Sequence, residues 1–385
     1  MKPLHLVMIC GVVDAHQPEA AETVLLANDL AERGYRVTLL AMSFGDLDMD
    51  PRVTLKAAGT RPRWFWISMI RYLRWLSKEM KRLKPDHMIS MLSSVTAEIM
   101  VPLTGTQRAR CRAKRSLCLG MAGHAVQHLS ELHPNVALPK QLERRAISRD
   151  GVKLFIAVSQ PIEEQLQADL SGKSTPIELA SVARPESRID TKRSAQLREE
   201  LARAWGINRD GYWIILPFSD AAVDGFEPML RAMKPLIDQG VDAVLLLSGP
   251  TRYTHLAWIG QLGLRDRIRF VGETSMVQEL LAACDLIVCP TSYDPAGWAV
   301  RPALGLGKPI VTTSASAAAE DVMSQGGSVL PSPVQPQALL EVIRELHARW
   351  EDGDATSIKT APKLAAAPTL AQIVDRWLQP DDDPA

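Results

Sequence analysis

The stretch best equipped for chemistry runs from Cys284 to Thr313, CDLIVCPTSYDPAGWAVRPALGLGKPIVTT. Asp285 to Cys289 is a short apolar run, the kind buried on both faces of a parallel sheet. Thr291 to Gly297 is turn chemistry and carries one carboxylate, Asp294. Val300 to Leu306 reads as a short helix with Pro302 in its first turn, closed by Gly307, and Ile310 to Thr313 is the next strand. A glycine loop between such a strand and helix offers backbone N–H groups to phosphate or sugar oxygens, although many loops of this kind are only connections. Arg301 lies inside the stretch and Arg252 follows the run LLSGP that ends in Gly249-Pro250. Either could balance an anion, and each also reads as a solvated surface arginine. His124, in GMAGHA, follows an expected strand and sits in a loop, where a lone histidine serves either a ligand or the fold.

Other residue types exclude more than they suggest. The five cysteines form no CxxC pair, which fits buried, reduced thiols in a cytoplasmic protein. The histidines show no metal-ligand spacing, and no apolar run reaches the length of a membrane span. Leu4 to Val13 reads as a buried first strand rather than a signal peptide. Net charge is +0, but residues 51–150 hold 19 Lys and Arg against 6 Asp and Glu, an excess of 13. Trp64, Phe65, Trp66 and Trp75 are interleaved there. Basic groups with tryptophans suit peripheral contact with an anionic membrane, through residues 61–84 and 108–116; a solvated helix face with core tryptophans is the plainer reading. No nucleic-acid recognition motif is present, so nucleic acid is not expected as a partner.

The elements that must position these residues alternate strand and helix. Leu4 to Cys10, Glu19 to Arg33 and Arg36 to Met42 make a βαβ unit. Trp64 to Lys84 is a long helix with Ile67, Ile70, Leu73, Leu76, Met80 and Leu83 as its core stripe. His87 to Leu92 is a strand, Ser94 to Thr104 a helix, Leu117 to Gly120 a strand and Met121 to Gln127 a loop. Strands at Val152 to Val158 and Ile177 to Val182 close a first doubly wound domain. Ala183 to Asp190 reads as the boundary. A second doubly wound unit follows, with strands at 213–217, 243–248, 268–272, 285–289, 310–313 and 328–330. The fold class is α/β. The domains are expected at 1–185 and 186–368, followed by a last helix and an acidic tail over 369–385.

The order LLSGP (246–250), LGLRDRIRFVG (262–272), AACDLIVCP (282–290) and Gly297 to GKPIV (307–311) resembles the C-terminal domain of GT-B retaining glycosyltransferases of the family-four kind, which includes bacterial lipopolysaccharide-core and glycan-assembly enzymes. The resemblance implies two Rossmann-like domains facing a cleft and a last helix that crosses back. It also implies an acceptor, glycan or lipid-linked, on the first domain and a nucleotide-diphosphate sugar on the second, with no metal or other cofactor. By the same resemblance Asp294 and His124 would contact the donor sugar, and the N–H groups of Ala296, Gly297 and Trp298 the diphosphate. Gly249 would let the phosphates approach closely, Gly272, Glu273 and Thr274 would meet the base, and Arg252 or Arg301 would add positive charge.

The departures weigh as much. Aligned on Gly297, the second carboxylate of the family's pair becomes Pro302, which cannot hold a ribose. Where the family has a cationic diphosphate loop, this chain reads PFSDAAVDG (217–225), with Asp220 and Asp224. Asp46 to Asp50 contains an Asp-x-Asp but reads as a solvated acidic turn. Two functions stay open: a retaining transferase of cell-envelope or exopolysaccharide assembly at the inner face of the membrane, and a non-catalytic GT-B protein that binds glycan or partners an active transferase.

Overall fold

The computed structural model describes residues 3–14, 17–59, 65–118, 120–148, 150–170, 174–182, 191–272, 274, 276–353 and 367–379. The chain forms two compact units, Met1–Ala183 with Ala365–Ala385, and Arg184–Leu364. The expected boundary at 183–190 lies outside the described residues, as do Trp64 and Glu273.

The first unit is built on strands β1 (His5–Ile9), β2 (Val12–Val13), β3 (Arg36–Ala41), β4 (Ser43–Phe44), β5 (Thr54–Ala57), β6 (His87–Ser90), β7 (Ile99–Met100), β8 (Leu154–Ala157) and β9 (Ile177–Leu179). Seven of them make one parallel sheet in the order β5-β3-β1-β6-β7-β8-β9, and β2 pairs β4 apart from it. The helix Phe65–Leu83 covers part of that sheet. Its deepest residues are Met69, Tyr72 and Leu76, and the expected Leu73, Met80 and Leu83 are partly buried against the same cluster. Met69 and Tyr72 join the expected stripe, and the Tyr72 hydroxyl donates to the Cys10 carbonyl at 2.6 Å and to that of Leu40 at 2.9 Å, bonds an aliphatic residue cannot make.

Two expectations for this unit are corrected. Ser94 to Thr104 is not a helix but turns around the short strand β7, which fills a gap in the sheet between β6 and β8, with Pro102 and Gly105 following. Leu117 to Gly120 is not a strand and Met121 to Gln127 is not a loop: a helix Gln107–Ser116, capped by the Thr106 hydroxyl, precedes a helix Gly120–Leu132. The last helix, Leu370–Leu378, starts at a Thr369–Gln372 capping box and belongs to the first unit. There Asp375 accepts hydrogen bonds from Arg33 at 2.8 Å and from the Tyr35 hydroxyl at 2.6 Å, and Trp377 meets His87 edge-on.

The second unit has β10 (Tyr212–Pro217), β11 (Ala243–Ser248), β12 (Ile268–Phe270), β13 (Leu286–Val288), β14 (Ile310–Thr313) and β15 (Ser328–Leu330). They form a parallel sheet in the order β12-β11-β10-β13-β14-β15. Each face buries its own apolar cluster, one around Phe226, Met229 and Met233, the other around Trp213, Leu280 and Ile287. The chain winds from β10 outward to β12, then returns to start again at β13 on the other side of β10. The seam between β10 and β13 is thus the switch point of the topology. Val300 to Leu306 is not an α-helix. Only the single 3-10 turn Arg301–Ala303 forms before Leu304 goes extended, and Gly305 and Gly307 both take positive φ.

At the amino end the seam is pinned by Arg198, from a helix Thr191–Trp205 that the residue pattern did not suggest. Its guanidinium donates to both Asp285 carboxylate oxygens at 2.9 Å and to the carbonyls of Arg209, Gly211 and Ala283, while lying 4.7 Å from the Trp213 ring centroid. Both partners are largely buried, so removing one leaves an uncompensated charge. Arg198→Ala is expected to destabilise the protein by about 3 kcal/mol, and Arg198→Lys to recover only part of that, because an ammonium cannot replace the planar fork. Urea unfolding followed by tryptophan fluorescence measures both.

Candidate functional site

Loops at the carboxyl ends of parallel strands collect at a switch point, and here those after β10, β11 and β13 interlock. Gly225, the residue before the helix Phe226–Asp238, has φ 77°. A Cβ there would sit 2.3 Å from the Pro290 carbonyl, so only glycine lets the β10 loop reach the β13 loop. The Val223 carbonyl accepts from the Ser292 N–H at 2.6 Å and from the Thr291 hydroxyl at 3.2 Å. On the other side a Cβ on Gly249 would lie 2.1 Å from the Phe218 carbonyl, so this glycine admits the neighbouring backbone.

The carboxylates of the β10 loop do not hang free. Asp224 is buried, and its Oδ2 accepts from the Ser219 and Asp220 N–H groups, each at 2.8 Å, and from the Ser219 hydroxyl at 3.3 Å. Asp220 accepts from the Ala222 N–H. The chain's own Asp224 therefore occupies two of the amides that follow β10.

Asp294 is also turned inward, with 6% of its surface exposed. Its carboxylate accepts from the Ser316 hydroxyl at 2.7 Å and from the Ala299 N–H. Its carbonyl accepts from the Gly297 N–H at 3.2 Å and from the Ala317 N–H at 2.9 Å. The residue thus ties the β13 loop to the loop after β14. Burial pushes its carboxyl up to about 6; nearby Asp224 adds to this, and Ser316, Ala299 and Arg301 oppose it. Arg301 Nε donates to the Ala296 carbonyl at 2.7 Å, so that guanidinium braces the turn. The Thr313 hydroxyl donates to the Thr291 carbonyl and that of Thr312 to Cys289, stitching β14 to the same loop.

Of the expected site residues, the structure brings Asp294, Ala296, Gly297, Trp298 and Arg301 into one loop and Gly249 into the crevice beside it. Ala296 and Gly297 are buried and Trp298 is half-buried. Gly272, at φ 80°, and Thr274, whose hydroxyl accepts from the Met276 N–H at 3.1 Å, follow β12. Arg252 is exposed, one residue before the helix Tyr253–Gln261. His124 is exposed on its helix in the first unit. Residue spacing did not reveal Ser316, which arrives from the next loop, or the inward turn of Asp224, whose only trace is a Ser-Asp pair four to five residues before an Asp-Gly. Among the described residues no cluster of three metal-ligating side chains occurs, and no helix is long and apolar enough to cross a membrane.

Residues 215–349, which contain all of these crevice loops, match the family model described as Glycosyl transferases group 1. Among curated relatives, the lipopolysaccharide glucosyltransferase WaaG of Escherichia coli (strain K12) is 27% identical over 196 residues, 46% of this chain and 52% of that protein. The lipopolysaccharide core biosynthesis mannosyltransferase LpsB of Rhizobium meliloti (strain 1021) is 30% identical over 150 residues, 37% of this chain and 40% of that one. The chain thus spans about half or less of the length of the curated relatives it matches. A crystal structure of WaaG, described as a glycosyltransferase involved in lipopolysaccharide biosynthesis, covers 90% of this chain and 91% of its own, with 17% identity and a TM-score of 0.72. That likeness establishes the fold, GT-B, as the resemblance implied.

The buried Asp294 gives a signed pH test. Its folded value, about 6, exceeds the ordinary 3.8, so the folded state holds the proton more tightly. Stability from this group is complete below pH 4 and is lost as pH rises to about 6. The gap corresponds to about 3 kcal/mol. Asp294→Asn is therefore expected to flatten the fall in stability between pH 4 and 6, seen as a parent-minus-variant difference in unfolding free energy that changes through this window and is constant above it.

Proposed function

We propose that this chain, whose residues 215–349 match the group 1 glycosyltransferase family model, transfers a sugar from a nucleoside-diphosphate donor to a glycan or lipid-linked acceptor in cell-envelope assembly, at the cytoplasmic face of the membrane. The observation that carries the reading is that the matched span coincides with the crevice at the β10–β13 seam, where α/β sheets of this topology hold their ligands. The second unit takes the donor and the first takes the acceptor. Gly272 and Thr274 abut the base through their backbone, and the exposed Arg252 supplies charge to the diphosphate. Asp294 acts through the loop it braces. Transfer proceeds with retention, the acceptor hydroxyl attacking on the face the diphosphate leaves, so that neither a protein nucleophile nor a metal is called on. The membrane side of the reading rests on the helices Phe65–Leu83 and Gln107–Ser116, with Arg71, Arg74, Lys78, Arg108 and Arg112 exposed.

A second reading, a GT-B protein that binds glycan without catalysis or partners an active transferase, is favoured by two observations: Asp224 already fills the amides after β10, and Pro302 stands where a ribose carboxylate would be. A thermal-shift screen of UDP, GDP, ADP and CDP sugars separates the two. The transferase reading expects stabilisation by one nucleotide, about 2.7 kcal/mol at 100 times its dissociation constant. Arg252→Ala is expected to weaken that binding about tenfold. A folded protein that responds to none of them supports the non-catalytic reading.

A further inference from the structure

The helix Gly120–Leu132 is inside out. Its one buried side chain is a carboxylate, Glu131, which accepts from Arg115 at 2.6 and 2.8 Å and from Lys140 at 2.7 Å. Those bonds fasten the helix to its two neighbours, Gln107–Ser116 and Pro134–Ser148. They also hold the Glu131 carboxyl down at about 2, the Arg115 bond foremost. The large apolar side chains point the other way: Met121 is 91% exposed, Val126 67%, Leu129 68% and Leu132 73%. At 100° per residue Met121, Ala125, Leu129 and Leu132 fall within one narrow stripe, with Ala122 and Val126 along its edge. A helix in contact only with water and its own unit would bury this face and expose the carboxylate.

The charges around the face select its partner. Arg112 on the preceding helix and Arg144 and Arg145 on the following one are exposed, Arg108 is exposed but pairs with Asp169 at 2.9 Å, and the two acidic residues of 107–145, Glu131 and Glu143, are both buried. An apolar stripe on a helix flanked by two helices with exposed cations matches a surface with anionic headgroups over hydrocarbon. A second copy of the chain would set like charges against each other. We propose that the helix Gly120–Leu132 is the inserting element of a membrane-docking surface, laying Met121, Val126, Leu129 and Leu132 into an anionic leaflet while the flanking arginines meet headgroups. The proposal deepens the membrane part of the function above and rests on it: the basic helices attract the leaflet, and this helix enters it.

Co-sedimentation of the full chain with vesicles of phosphatidylcholine alone, and of phosphatidylcholine with phosphatidylglycerol, tests it. The parent is expected to bind the phosphatidylglycerol vesicles. A Leu129→Glu, Leu132→Glu variant is expected to bind at least about tenfold more weakly with an unchanged melting temperature, since both positions are exposed and support no core. If that variant binds as the parent does while Arg71→Ala, Arg74→Ala binds less, the membrane reading stands and the role of this helix is overturned. If the parent binds neither vesicle, both fall. If it binds neither and self-associates, and the Leu129→Glu, Leu132→Glu variant is monomeric, the face is an interface between copies and the lipid proposal is overturned.

Discussion

The second unit depends on one seam, the contact of β10 with β13. Two strands far apart in sequence must lie side by side there, and the chain fastens them at both ends. At the amino end Arg198 spends its guanidinium donors on Asp285 and three carbonyls. At the carboxyl end the missing Cβ of Gly225 lets the β10 loop touch Pro290, and Val223 accepts from both Thr291 and Ser292. Loops in such a crevice bind small molecules because their ends are fixed and their tips are not. The seam supplies the fixed ends.

The electrostatics of the crevice are unusual. Two carboxylates, Asp224 and Asp294, are buried; Asp224 accepts from the amides of its own loop, and burial with the nearby Asp224 raises the Asp294 carboxyl while Ser316, Ala299 and Arg301 oppose the rise. The result is a pair of self-satisfied loops. Under the proposed function an incoming diphosphate would meet shaped backbone and the exposed Arg252 rather than a basic pocket. In the first unit the inversion runs the other way: a helix that could bury apolar residues buries Glu131 instead. In each unit a paired acidic side chain sets the local geometry, which binary patterning alone does not anticipate.

Much of the fold was legible in the sequence because its strands are β-branched, apolar and short, and its long helices carry a regular stripe. Phe226–Asp238 is bounded where the residues say, between a glycine and a glutamine-glycine turn. The helix Gln107–Ser116 was hidden because QRARCRAKRS has almost no apolar face. Met121 to Gln127, inside the helix Gly120–Leu132, reads as loop because its glycine and alanines imitate one and the helix's apolar side faces out. At the site, composition located the turn around Asp294 but not the direction of its side chain. That direction is set by Ser316, twenty-two residues on and across β14.

Hydrogen–deuterium exchange of the intact protein, with and without a saturating nucleoside diphosphate, tests the central claim most directly. Protection confined to the backbone of 217–225, 249–252, 271–274 and 289–300 would place the ligand at the β10–β13 seam with its base toward β12, as the account predicts. Unchanged exchange in all of these segments, or protection only elsewhere in the chain, would contradict it.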